Sequence, residues 1–262
     1  MRPALRLFEL IGIAGVGVAG ALALATLAGA QTGTPLATSG YLPAGAIDGA
    51  ALLGPPPTPT SLRGRADRET FNQTRALAGT PRWVLAARDD NLRDGVMQRF
   101  SCAAGIRIGP DTPTLMILLR RIDVDVRTVG TPPKDFYNRP RPVIGNTKPV
   151  CVPRADWMKT NASYPSGHAM IGWSWAMVLS KLLPDRTDAL AQSGRDFAQS
   201  RVICGVHYQS DVDAGRILGS VMLAREHAEP AFQTDLAAAR AEVAAARAKG
   251  LPPEGCEDYG VK

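Results

Sequence analysis

The chain has 262 residues and a formal net charge of +6 at pH 7, with 45% hydrophobic and only 6% aromatic residues. Its basic residues are dispersed, with neither a basic stripe nor interleaved aromatics, so no nucleic-acid partner is expected. The excess positive charge suits a small anionic ligand or no specific ligand, and four cysteines without a C-x2-C pair argue against a zinc site.

Arg2 and Arg6 open a basic start, Leu10 to Ala28 is an apolar run rich in Gly, Ala and Leu, and Ala28-Gly29-Ala30 offers small residues before Gln31. This reads as a secretory signal peptide over 1–30, which places the mature protein in the periplasm or outside the cell. An uncleaved membrane anchor is the competing reading. The 232 residues from Gln31 onward carry +5 and are enough for one domain with a substantial core. No later run is long and apolar enough to span a bilayer, so no membrane association is expected after cleavage. Cys102, Cys151, Cys204 and Cys256 all remain; an even count in an exported chain permits two disulfides, in any of three connectivities. Cys204 reads equally well as a small buried apolar residue.

Residues 31–62 are rich in Gly, Pro, Thr and Ser and read as an extended arm. The main domain is expected over 63–250, with 251–262 as a tail. Helical patterning begins at Ala66 to Leu77. Thr80-Pro81 looks like a cap followed by proline at the first helical position, leading into Arg82 to Leu92. Asp111-Thr112-Pro113 begins a helix that would run to Val129, and Thr131-Pro132-Pro133 would open a short turn carrying Lys134. Pro140 to Pro153 holds four prolines and reads as loop. Three helices follow, over Ala169–Leu183, Arg186–Cys204 and Gln209–Glu229. Phe232, Leu236, Ala239 and Val243 mark one face of a last helix ending at Gly250; that stripe suits either a homodimer contact or the core. No period-2 strand appears. The expected architecture is all-α, a single-domain bundle with its site at helix ends and loops.

Three segments carry the chemistry: Lys134 through Arg141-Pro142, Pro165-Ser166-Gly167-His168, and Ser200-Arg201 through His207 and Asp211. They form K-x6-R-P, P-S-G-H and S-R-x5-H-x3-D in that order. Ser166 and Gly167 start a helix, where free amides and the positive dipole end favour an anion. Lys134 is a compact charge, and Arg141 offers a planar fork for two oxygens, with Arg139 as its competitor. His207 and Asp211 are four apart and share a helical face, so the carboxylate can fix the ring's tautomer. Cations to offset phosphoryl charge, with two histidines to divide attack and protonation, are what phosphoryl transfer needs without a metal or other cofactor. Of three histidines, His227 alone stands outside these motifs.

The combined pattern resembles the acid phosphatase, lipid phosphatase and vanadium haloperoxidase superfamily. Ser163-Tyr164-Pro165-Ser166-Gly167-His168 and the run from Ser200 to Gly215 look more closely like bacterial class A non-specific acid phosphatases, a likeness covering roughly residues 60–245. The resemblance implies an all-α catalytic domain and metal-independent hydrolysis of small phosphomonoesters in the periplasm. It implies His207 as the nucleophile that becomes phosphohistidine, His168 as general acid and Asp211 as the carboxylate orienting His207. Lys134, Arg141, Ser166, Gly167 and Arg201 would bind the phosphate. Ala162 replaces a glycine usual in that pattern, and Pro140 stiffens the loop before Arg141. A phosphotransferase using the same intermediate is the runner-up. A non-catalytic phosphate binder would need neither His168 nor His207.

Overall fold

A computed structural model describes residues 39–250 and 252–259. The signal-peptide reading over 1–30 lies outside them. Ten α-helices and no strand occur among the described residues: α1 (Gly49–Leu53), α2 (Leu62–Thr74), α3 (Pro81–Arg88), α4 (Asp94–Ala104), α5 (Pro113–Tyr137), α6 (Trp157–Thr160), α7 (Gly167–Leu182), α8 (Thr187–Ile203), α9 (Gln209–Glu226) and α10 (Pro230–Ala248). The all-α expectation holds. No described helix is long and apolar enough to cross a membrane.

Local chemistry starts these helices where the sequence signals them. Ser61 Oγ accepts from Gly64 N, Thr80 Oγ1 from Trp83 N and Ser166 Oγ from Ala169 N, each satisfying a donor the helix leaves unpaired. Pro81, Pro113 and Pro230 occupy first positions, where a missing N–H costs nothing. Helix α7 is the hub, packing on α8 and α9, while α10 packs on α5. The main core joins Phe100, Leu115, Leu119, Ile122, Met170, Leu179 and Phe197 to Phe232, Leu236, Ala239 and Val243. The stripe on the last helix is therefore core.

Several boundaries differ from expectation for tertiary reasons. Helix α5 does not stop at Val129; it runs through Pro132 and Pro133 to Tyr137, so Lys134 sits on its last turn rather than on a separate turn. The backbone bonds those prolines remove are offset by packing. Pro133 is buried facing Gly49 at the start of α1, Tyr137 donates its hydroxyl to Ala50 O at 2.8 Å, and Asn138 closes the helix in the left-handed region at φ 42°. Helix α3 ends at Arg88, short of Leu92, because Asp89 turns inward to a two-pronged ion pair with Arg99 at 2.9 and 2.8 Å. Arg99 belongs to α4, a helix the apolar pattern did not mark because its buried face includes that charge. Helix α9 ends at Glu226, not Glu229, ahead of Pro230.

The described part of the 31–62 segment lies against the bundle. Asp125 accepts from Tyr41 N at 2.7 Å and Leu42 N at 3.2 Å, and the Tyr41 ring meets Phe232 edge to face at 5.1 Å. Glu226, fully buried beside Asp125, is pushed up to about 9 by burial and by that neighbour, and so stays protonated at neutral pH. Two disulfides form: Cys102–Cys256 fastens the chain end to α4, and Cys151–Cys204 fastens the long α5–α7 connection to the end of α8. Cys204 is thus a cross-link rather than a lone apolar residue.

Candidate active site

The three motif segments converge where the ends of α5, α7, α8 and α9 meet. Two contacts lock the starts of α7 and α9 together: Ser166 N donates to Asp211 O at 2.9 Å, and Gly215 lies against Ser166 O. A Cβ on Gly215 would stand 2.4 Å from that carbonyl oxygen, so the approach requires glycine. At the end of α8, Gly205 (φ 78°) turns the chain and delivers His207 back toward Arg201. His207 N and Val206 N both donate to Arg201 O, at 3.3 and 3.2 Å.

His207 is 2% exposed and held from both sides. Arg141 Nη1 lies 3.0 Å from Nε2. A guanidinium has no acceptor, so Nε2 accepts and the ring proton resides on Nδ1. Nδ1 faces Asp211 Oδ2 and Ser163 Oγ, each at 3.4 Å, and Ser163 donates to the same carboxylate oxygen. Asp211 is fixed in turn by Tyr208 N at 2.7 Å and by Arg139 Nη1 at 2.5 Å.

The cations sort into two kinds. Arg139 bridges Asp211 and Asp67 (2.9 Å from Nη2), contacts Ser210 Oγ at 2.7 Å and stacks over Tyr208. It is a charge already paired with two carboxylates, unlike Arg141. Arg141, 4% exposed, is held only by neutral groups: Asn161 O, Asn161 Oδ1 and Val206 O, at 2.8, 2.7 and 3.0 Å. Lys134 Nζ donates to Ala162 O at 2.7 Å. Burial, reinforced by Arg141, lowers Lys134 to about 7; burial, reinforced by Arg201, lowers Arg141 to about 10. Arg201 is 1% exposed, and its Nε is buried without a partner. Such a crowd of desolvated cations is costly unless an anion joins it.

His168, on the first turn of α7, is part-buried and stacks on Phe197 at 5.8 Å. Its Nε2 donates to Asp90 O at 3.2 Å, which leaves Nδ1 as the second titrating atom. Burial, then the Arg201 charge, holds His168 well below the usual imidazole range. Burial, then Arg141, does the same to His207. Gly167, at the first helical position, has open space beside its backbone: an added Cβ would meet no atom within 4 Å. Every expected site residue is therefore in or beside one cage. Ser163, Asn161, Asp67 and Asp90 were not marked for the site. Ser163 lies within the quoted Ser-Tyr-Pro-Ser-Gly-His string, but no spacing rule points to Asp67 or Asp90.

This is a helical protein with a histidine set in a cationic oxyanion cage. The PAP2 superfamily pattern matches residues 116–228, which include every expected site residue. A Zymomonas mobilis acid phosphatase is 37% identical over 206 residues, 77% of this chain and 78% of its own. A Salmonella typhimurium non-specific acid phosphatase is 38% identical over 78% of this chain and 83% of its own, and one from Providencia stuartii is 40% identical over 76% and 82%. The chain belongs to the PAP2 superfamily and, within it, to the non-specific acid phosphatases.

Proposed function

We propose that the chain is an exported acid phosphatase that hydrolyses small phosphomonoesters without a metal, through a phosphohistidine on His207. One observation carries the reading: the unprotonated Nε2 of His207 faces Arg141, a buried cation with no carboxylate partner, while its Nδ1 side faces a buried carboxylate. Lys134, Arg141, Arg201, Ser166 and the Gly167 amide would hold the phosphoryl oxygens, charge stabilisation that a metal could otherwise supply.

In the first half-reaction the Nε2 lone pair forms the N–P bond and the P–O ester bond breaks. The leaving oxygen takes a proton from His168. Imidazolium character on the phosphorylated ring is offset by Asp211 through Nδ1–H. In the second half-reaction water attacks phosphorus, His168 takes its proton, and the N–P electron pair returns to His207. The depressed histidines suit acid conditions. His168 gains its proton only at acid pH, while His207 remains free to attack because its own proton affinity is lowered too.

Acid quench during turnover of a phosphate ester should trap acid-labile phosphate on His207. Trapping it on serine, or loss of activity on chelation with recovery on adding a divalent metal, would contradict the mechanism. Export rests on the first thirty residues. The intact mass of exported protein should correspond to a start near Gln31, and a mass retaining 1–30 would refute it.

A further inference from the structure

Two consecutive aspartates between α3 and α4 each hold an arginine, but in different ways. Asp89 is fully buried and grips Arg99 with both oxygens, and Ser200 donates to it as well. That pair is closed. Asp90 presents one oxygen to Arg201 Nη1 at 2.6 Å, and its side chain is 38% exposed. Its backbone is tethered separately, through the carbonyl that accepts from His168 Nε2. The carboxylate can therefore rotate into water without disturbing the loop.

Resting on the phosphatase reading above, we propose that Asp90 is an internal counter-ion that occupies Arg201 in the free site and must yield when a phosphoryl group binds. Arg201 is buried, and its Nε lacks any partner, so its fork is incompletely satisfied by a single carboxylate oxygen. A phosphoryl dianion can take two of its donors in the planar geometry guanidinium favours. Asp90 and a phosphoryl group at the same guanidinium would be like charges within a few ångströms, which disfavours their coexistence. The contact thus stabilises the empty cage, weakens ground-state and product phosphate binding, and helps release product. Asp90 is a displaceable counter-ion that acts through Arg201, not a group that reacts.

The test is the sign of the change in affinity. Inorganic phosphate and orthovanadate inhibition constants, KM and kcat for an aryl phosphate would be measured for the wild-type chain, Asp90→Asn and Asp90→Ala at one acid pH and fixed ionic strength. An internal competitor predicts that both inhibition constants and KM fall by about threefold to tenfold, with kcat changed less. Melting temperature without ligand should drop, because Arg201 loses its counter-charge, while the rise on adding phosphate should grow. Asp90→Glu, which keeps the charge, should stay nearer to wild type than either. If Asp90 merely holds Arg201 in place, the same substitutions raise the inhibition constants and KM; that result, or no change, overturns the proposal. The phosphate-dependent melting shift supplies the same sign should a variant be too fragile for kinetics. An inactive wild-type chain would instead refute the phosphatase reading itself, a different outcome from an active enzyme with unimproved affinity.

Discussion

Arg139 and Arg141 are two residues apart on one loop and lie on opposite sides of Asp211 and His207, yet they do different work. Around Arg139 charges of opposite sign meet: Asp67 and Asp211 share one guanidinium, with Ser210 between them. Around Arg141, charges of one sign accumulate: Lys134, Arg141 and Arg201 crowd together, Lys134 and Arg141 meet only neutral acceptors, and Arg201 has one part-exposed carboxylate oxygen from Asp90. The first region holds the fold. The second is held by the fold at a cost, one that a phosphoryl group would offset under the proposed function. Compensation, rather than residue type, distinguishes a structural arginine from a ligand-binding one.

The comparison can be broken most severely at the ring between the two regions. His207→Ala should abolish the trapped phosphoenzyme and lower turnover by on the order of 10⁴-fold or more, the scale on which removing a nucleophile acts. Residual phosphoenzyme in that variant would move the nucleophile elsewhere. Next in size is Asp211→Asn, expected to cost about 10²–10⁴-fold in single-turnover rate through the wrong tautomer and the lost charge. Its sequence neighbour Asp213 contacts Arg63 and Gln209 at the surface instead, so Asp213→Asn should change the rate less than about twofold.

The two regions should then separate in opposite directions. Arg139→Gln leaves Asp67 and Asp211 without their shared cation and should lower stability by about 3–5 kcal/mol, the range for breaking a buried ion pair, as read by denaturant melts. Lys134→Met should do the reverse. Lys134 titrates at about 7 in the fold, far below the usual lysine value, so the folded protein resists protonation and loses stability as pH falls from about 10 through 7. Removing that amine should leave the melting temperature at pH 5 unchanged or higher while phosphate affinity falls. A large loss of stability from Lys134→Met would place Lys134 with Arg139 on the structural side.

The smallest expected effect is a shift along the pH axis. His168 and His207 have lowered proton affinity, so both are neutral near pH 6.5, where an ordinary imidazole is half protonated. Activity should rise as pH falls below that value, because His168 must carry a proton, and fall again once His207 takes one. The same depression makes the empty site lose stability as pH drops through the interval between the ordinary and lowered values. Bound vanadate, by adding negative charge, should recover that loss, giving a larger vanadate-induced melting shift at pH 5 than at pH 8. Equal shifts at both pH values would show that the histidines do not sense the cage.

Much of this was legible along the chain. Serine, threonine and proline at helix starts act over four residues, so the starts of α3, α5 and α7 followed from local spacing. Lys134, Arg141, Ser166, Gly167, His168, Arg201, His207 and Asp211 were recognisable because their motifs sit at helix ends, and helix ends in a bundle collect at one rim. The rest depended on segments meeting from far apart. Asp67, 72 residues before Arg139, is what makes Arg139 structural, and no spacing within its own loop records that partner. The burial of Pro133 near Gly49 carried α5 past two prolines, and the buried Asp89–Arg99 pair built α4 around a charge that local pattern reads as exposed. Disulfide pairing was open in the same way, since which cysteines meet is set by where helices pack. Sequence determined which groups could do chemistry because valence and helix geometry are local; tertiary structure decided which were neutralised and which were left to bind, because charge compensation acts through space.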